Sequence, residues 1–419
     1  MGYKPWSASS IVTITSLIPG RTNPHWNVER NVLMHIAVFF AGYQPFHETK
    51  DPGLIPLALQ QLDCRVTLIT LRKPELASYT APFPILQVAR DELQFQWVRL
   101  RPDAVIFYHL IGWPFHEQIA ILNQHGIPCI IKADTDGMLI PRSSSIKPLL
   151  IRELLIKHSL KSSLLTLTKF VAPSLSRLPT NVQKTAAVIV ESTEARNNFI
   201  KSLGPSVFNE YKKIHVIPLM VNPLFTQGSI EPIRHRTIVA VGRWEDQAQK
   251  HPRGLLQTLR SVLTEFPGYH ARIIGSGQTI LHNMVHTWPQ SLTSRIKILG
   301  PLPPTAIRTQ LRDSRIFLSA SRWESFGLAA AEALCMGNSF VGPPLAPFKD
   351  FAGPNGEWGT LARNVTIPAL QNALITEMHH WEDGTRNAIA IGNHWRARVS
   401  INVVGKAVLE LAQKLVDQQ

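Results

Sequence analysis

A chain of 419 residues, 44% of them apolar, is long enough for two hydrophobic cores and too apolar to be disordered. No apolar run reaches the roughly 18 residues that a membrane span needs. Residues 11–18 are too short and polar a stretch for a signal peptide, and no small-residue cleavage site follows, so a cytoplasmic location is expected. The net charge of +14 points to anionic partners. Nucleic acid is not expected among them, because the basic residues are dispersed and no nucleic-acid motif is present. Cys64, Cys129 and Cys335 lie in apolar contexts without metal-ligand spacing, which reads as three small buried hydrophobes.

Residues 1–33 have little periodicity and several turn formers (Pro5, Pro19-Gly20, Asn23-Pro24), so they read as a disordered extension or a start assigned too early. Residues 34–40 read as a first core strand. A helix is predicted over 51–62, with Asp51 as N-cap and Pro52 in the first helical position. Strands are predicted at 65–70, 104–108, 128–133, 188–190 and 213–217. Such short apolar β-runs separated by helices predict a doubly wound parallel sheet. A second series begins near Thr237, with strands at 237–241, 271–274, 296–299 and 316–320 and helices at 253–265, 305–312 and 326–336. The α/β reading is therefore two Rossmann-like domains, 34–225 and 226–400, joined near 222–231, with an amphipathic helix in 401–419.

The densest motif is Trp323-Glu324-Ser325-Phe326-Gly327-Leu328-Ala329-Ala330-Ala331-Glu332-Ala333-Leu334-Cys335-Met336-Gly337, at a predicted strand-to-helix junction. Ser325 is a good N-cap and Gly337 a good helix stop. The backbone N–H groups of Ser325, Phe326, Gly327 and Leu328 would then meet an anion, helped by the helix dipole. Glu324 lies in the loop and Glu332 in the second turn, which suits a phosphate and sugar hydroxyls held together.

This segment resembles the signature of glycosyltransferase family 4, whose members have the GT-B fold. The resemblance extends to Val239-Ala240-Val241-Gly242-Arg243-Trp244 with Lys250 downstream, to Ile273-Ile274-Gly275-Ser276-Gly277, to Ile296-Lys297-Ile298-Leu299-Gly300, and to Val216-Ile217-Pro218-Leu219-Met220-Val221-Asn222-Pro223. It implies two Rossmann-like domains facing a cleft, a nucleotide-diphosphate sugar as donor, a hydroxyl acceptor, retention of anomeric configuration, and neither metal nor cofactor. It also implies that Arg243 and Lys250 neutralise the leaving diphosphate and that Glu332 holds the donor ribose. Glu324 would contact the donor sugar, and Gly242, Gly275 and Gly277 would let the backbone approach the nucleotide. The terminal helix would cross back to brace the N-terminal domain.

Two positions depart from the family pattern. The glycine-rich turn after the first strand is reduced to Gly42, in a longer loop to Gly53 that carries His47, Glu48, Lys50 and Asp51. Where relatives often have a histidine facing the donor sugar, this chain has Asp134. A carboxylate there would bond a sugar hydroxyl or stabilise positive charge at the anomeric carbon. Asp134-Thr135-Asp136 also has the spacing of a metal-binding pair, but the architecture disfavours that use, and a turn-forming Asp-Gly unit is the plainer alternative. His109, at the end of its strand, faces the presumed cleft or is a satisfied structural histidine. The basic amphipathic stretch 147–169 is either a peripheral contact to an anionic membrane or a core helix with a solvated basic side. Two rival functions stay open: a sugar-nucleotide epimerase on the same fold, and a catalytically idle nucleotide-sugar-binding homologue.

Overall fold

The computed structural model describes residues 33–72, 80–108, 115–134, 159–166, 172–203 and 210–419. Within these, the apolar β-branched runs form two sheets in which every pairing is parallel. β1 (His35–Phe39), β2 (Arg65–Thr70), β3 (Ile85–Gln87), β4 (Ala104–Tyr108), β5 (Cys129–Lys132), β6 (Ala187–Val190) and β7 (Ile214–Val216) stand in the order β3-β2-β1-β4-β5-β6-β7. β8 (His235–Val241), β9 (His270–Ile274), β10 (Ile296–Gly300), β11 (Ser314–Leu318), β12 (Ser339–Gly342) and β13 (Gly359–Leu361) stand in the order β10-β9-β8-β11-β12-β13. Strand order reverses between β1 and β4 in the first sheet and between β8 and β11 in the second. At such switch points a crevice opens outside the carboxyl ends of the strands, and ligands bind there.

The central strands are buried on both faces, as parallel sheets require. β3, β12 and β13, three or four residues long, are absent from the sequence reading. The helix predicted at 51–62 forms as Asp51–Gln61, but Lys50 holds the N-cap position and Pro52 the second helical one. Asp51 is displaced from capping because its carboxylate is engaged elsewhere: it accepts from the Met220 N–H at 2.9 Å and the Tyr108 hydroxyl at 2.8 Å. The reading of residues 1–33 falls outside the described residues except for the exposed Leu33. Among the described residues, no helix is long and apolar enough to cross a membrane. All three cysteines are buried free thiols.

The terminal helix, Ile401–Asp417, leaves the second sheet and packs on helix Asp51–Gln61 of the first. Its Ile401, Val404, Val408, Leu411 and Ala412 share one core with Ile36, Val38 and Leu59. A second contact joins helix Thr193–Leu203 to helix Ala346–Ala352, where the Thr193 N–H donates to Asp350 Oδ2 at 3.1 Å and Lys349 pairs with Glu194 at 2.9 Å.

The first of these contacts depends on a small residue. A Cβ at Gly405 would lie 2.7 Å from the Ala58 Cβ. Gly405→Val is therefore expected to wedge the two helices apart and destabilise the chain by about 1–3 kcal/mol in urea denaturation.

Candidate functional site

The site is built from the carboxyl ends of β8, β9 and β11. After β9 the chain turns through Gly275, at φ 127°, where a Cβ would sit 1.8 Å from the Gly242 carbonyl oxygen. Only glycine lets the two loops touch this closely. The approach is locked by the Gly242 N–H donating to the Ile274 carbonyl (3.0 Å), the Trp244 N–H to the Ser276 carbonyl (2.9 Å) and the Trp244 indole N–H to the Ile274 carbonyl (3.0 Å). Ser276 Oγ donates to Glu245 at 2.7 Å, and that bond, with a backbone bond, holds the Glu245 carboxyl below its usual range. The same packing extends to Gly277, also in the left-handed region and against the Glu245 backbone. These glycines therefore serve the contact between loops.

The pinned loop continues into a single helical turn, Gln247–Lys250, capped by Asp246, whose side chain accepts from the Gln249 N–H at 3.2 Å. That turn delivers Lys250 to Glu324, with which it forms an ion pair. Glu324 also accepts from Ser321 Oγ at 2.8 Å and from Gln249 Nε2 at 3.4 Å, and the same Gln249 amide donates to the Trp323 carbonyl at 3.0 Å. Two motifs more than 70 residues apart are thus joined through their side chains. Ser321 and Gln249 carry no motif signal and escape a sequence reading. Arg243 is different: its side chain is 70% exposed, and its one ion contact among the described residues, to Asp246, is long at 3.9 Å. Its guanidinium keeps donors for an incoming anion.

The helix after Glu324 runs Leu328–Cys335, two residues later than expected. Its N-cap is Gly327, not Ser325, and no side chain caps it. The cause is packing: Gly327 adopts φ 96° with Phe348 and Phe351 closing over it, while Phe326 buries its ring edge-on against Phe351. Among the described residues, the N–H groups of Gly327, Leu328 and Ala329 have no hydrogen-bond acceptor, so the uncapped terminus presents the donors and dipole that suit an anion. Gly337, at φ 85°, ends the helix as expected.

Glu332 lies half-buried on this helix, without a hydrogen-bond partner among the described residues. Burial pushes its carboxyl up to about 8, and the ammonium of Lys50 opposes that rise. Lys50 comes from the first sheet's loop and sits 4.9 Å from the Phe46 ring centroid. Loss of surrounding water and then the Arg243 charge hold its ammonium below the usual lysine range, with Glu332 pulling the other way. A cation of the first domain thus faces Arg243 and Glu332 of the second. Lys50 stood in the atypical loop, but nothing in its spacing marked that role.

Beneath the carboxyl ends of the first sheet lies a buried charge cluster. Lys132 is wholly buried and bonds Glu191 at 3.0 Å, with Asp51 at 3.7 Å. Burial alone would lower its pKa, but Asp51 and Glu191 more than offset this and hold the ammonium above its ordinary value. Burial, then Asp51, keeps the Tyr108 hydroxyl protonated well above its ordinary range. Glu191 also accepts the Asp134 N–H at 3.1 Å. This holds Asp134 in the left-handed region, φ 43°, with its side chain exposed. The signal available in the sequence was a charge ending an otherwise apolar strand, Cys129-Ile130-Ile131-Lys132 and Val188-Ile189-Val190-Glu191. No hydrogen bond or ion pair joins Asp134 to the second domain among the described residues. His109 and Asp136 lie outside the described residues, as does most of 147–169. Nothing within 4 Å of Gly42 requires glycine there; the tight position in that loop is Gly53, where a Cβ would lie 2.5 Å from the Glu48 Cα. Among the described residues, no cluster of His, Cys, Asp and Glu could hold a metal ion.

Two doubly wound parallel domains, with the uncapped helix and the lysine–glutamate pair at a switch point, define the GT-B class. Residues 235–379 match the family model described as "Glycosyl transferases group 1". No curated protein sequence matches it. Similar solved structures include sucrose-phosphate synthase from Thermosynechococcus elongatus, at TM-score 0.64 and 13% identity, covering 92% of this chain and 100% of that one. HepE from Anabaena in complex with UDP superposes at 0.60 with 14% identity, covering 91% and 100%. The catalytic domain of starch synthase IV from Arabidopsis thaliana, bound to ADP and acarbose, does so at 0.59 with 10% identity, covering 92% and 99%.

Two outcomes follow from these charges. Glu332 keeps its proton to about pH 8 when folded but only to its ordinary value of 4.5 when unfolded, so the folded state binds the extra proton between these values. Stability should fall as pH rises through that window and level off above it. Glu332→Gln should flatten this part of a profile of Tm against pH. Lys132→Ala leaves Asp51 and Glu191 buried without their cation and is expected to cost about 3–5 kcal/mol in urea denaturation.

Proposed function

We propose that the chain is a retaining, metal-independent hexosyltransferase of family 4 type, moving a sugar from a nucleotide-diphosphate donor to a hydroxyl acceptor. The observation that carries this reading is the Lys250–Glu324 pair beside the uncapped amides of Gly327, Leu328 and Ala329. A diphosphate seated on those amides would have Lys250 and Arg243 within one loop's reach and Lys50 opposite. Arginine supplies a fork to phosphate oxygens and lysine a point charge. As the bond between the anomeric carbon and the β-phosphate oxygen breaks, negative charge grows on that oxygen, and fixed cations stabilise it without reorganising.

Glu332, with no hydrogen-bond partner among the described residues, suits a vicinal diol such as the donor ribose: its carboxyl can bond both hydroxyls, and their donation, together with Lys50, would favour the ionised form over the neutral one that burial favours. Glu324 would then meet the donor sugar. Its bonds to Lys250, Ser321 and Gln249 fix its orientation, which favours positioning over nucleophilic attack. With no separate nucleophile assigned, the acceptor oxygen would attack the face from which the diphosphate leaves. The acceptor proton would pass to the departing phosphate oxygen. Asp134, exposed and held by Glu191, would bond a sugar hydroxyl or steady the positive charge at the anomeric carbon. Approach of the two domains would exclude water and bring Lys50 to the donor.

The donor base is open: HepE was solved with UDP and starch synthase IV with ADP. The acceptor, whether glycan, glycolipid or small metabolite, is set by the N-terminal loops. A cytoplasmic setting with peripheral contact to an anionic membrane fits the exposed leucines Leu160, Leu164 and Leu165 of helix Leu160–Thr166.

A thermal-shift panel of UDP, GDP, ADP and their sugar conjugates, with and without magnesium, tests the reading. One nucleotide series should raise Tm without metal, and Lys250→Ala should abolish the rise. With the donor so identified, Lys250→Ala should lower kcat by about 10²–10³-fold, and NMR of the product should show the donor's anomeric configuration. No response to any nucleotide would sink the donor-site assignment. Release of an epimer without acceptor would favour an epimerase instead.

A further inference from the structure

At the amino ends of β8, β9 and β10, away from the loops that carry Gly242 and Gly275, lies an open cleft of about 520 Å³. Its lining includes Arg234, Arg236, His270, Arg272, Arg295 and Lys297, and no aspartate or glutamate among the described residues. The register explains how these charges meet. Lys297 of β10 stands directly opposite Arg272 of β9, so both side chains leave the same face of the sheet. His270 and Arg295 lie two residues earlier on their respective chains and share that face. The opposite face, with Ala271, Ile273 and Ile296, belongs to the core.

Like charges directly opposite one another across a strand pair destabilise a sheet. Here neither partner is relieved by a carboxylate among the described residues. Among the described residues, Arg272 makes one long bond, from Nη1 to the Gln310 carbonyl at 3.5 Å, and Lys297 makes none. Arg295 is fixed by the carbonyls of Ser291, Phe266 and Tyr269, bonds that use Nε and Nη1 and, among the described residues, leave Nη2. Arg236, by contrast, is neutralised by Glu382 at 2.5 and 2.9 Å, and Arg234 is spent on backbone carbonyls. The unsatisfied part of the cleft is therefore Arg272, Lys297 and Arg295: two guanidinium forks and an ammonium. Guanidinium forks match the oxygens of phosphate in pairs. The volume is that of a small-molecule site, larger than one phosphate requires.

We propose that this cleft is a second anion site, separate from the donor crevice, which takes a ligand bearing two or more phosphate groups through Arg272, Lys297 and Arg295. The ligand is either a soluble polyphosphate compound or a cluster of phospholipid headgroups. The bound phosphates would neutralise the facing cations and bridge β9 to β10.

Tripolyphosphate serves as the soluble probe, and vesicles of phosphatidylcholine with or without phosphatidylglycerol as the lipid probe, with the full chain throughout. Tripolyphosphate should raise Tm saturably, and this should survive Lys250→Ala, which disables the donor crevice. Arg272→Gln with Lys297→Gln should fold, as circular dichroism would show, keep or raise the ligand-free Tm, and weaken the probe by about tenfold or more. Lys297→Glu, which pairs with Arg272 internally, should behave likewise. A tripolyphosphate response without vesicle binding assigns a soluble ligand. Sedimentation with phosphatidylglycerol vesicles alone, lost in the double variant, assigns headgroups. The proposal fails if neither probe binds, if the double variant binds as well as the parent, or if Lys250→Ala alone removes the response.

Discussion

The second domain's site rests on one backbone contact, the Gly275 α-carbon against the Gly242 carbonyl. Because nothing larger than hydrogen fits there, the loops after β8 and β9 act as one rigid piece. Trp244 seals it, Asp246 starts the short helical turn, and that turn sets where Gln249 and Lys250 stop. Glu324 is held from three sides only because those residues arrive in register with its own loop. The geometry is a relay of short segments, each fixed by the previous one, and none is stable alone.

This explains what was legible in the sequence. The longer strands and the two Rossmann-like series could be read, because buried parallel strands are near-continuous apolar runs. The motifs bearing Gly242, Lys250, Gly275, Glu324 and Glu332 could be found, but not why their glycines are needed, since that reason is an approach between segments about 30 residues apart. Ser325 shows the limit of local preference. It is the better capping residue, yet Phe348 and Phe351 impose a left-handed turn on Gly327 and move the helix start. The partnership of Lys132, Glu191 and Asp51 escaped notice because it spans three separate stretches, and a single charge after an apolar strand does not reveal its counter-charge.

The electrostatics around Glu332 are shared between domains. Glu332 sits where burial favours its neutral form, and Lys50, whose charge opposes this, belongs to the other sheet. The ionisation of one domain's carboxyl is therefore tied to the position of the other domain. A group tuned in this way responds to closure as well as to pH. Asp51 adds a mechanical link: it starts the helix after Lys50 and accepts the backbone N–H of Met220, where the chain leaves the first sheet. The loop that carries Lys50 and the connection between the sheets thus share one buried carboxylate.

The terminal helix has a consequence for biosynthesis. Ile401, Val404, Val408, Leu411 and Ala412 complete the core that Ile36, Val38 and helix Asp51–Gln61 begin, so that core stays partly uncovered while the whole second domain is being made. Nascent chains emerge at about 5–20 residues per second, and domains ordinarily fold as they appear. Here the earlier domain must wait, with an apolar surface open to solvent, for a segment more than 350 residues downstream of its first strand. A ribosome that stalls near the end of the message would leave a well-folded second domain attached to an unfinished first one, the kind of surface that chaperones hold.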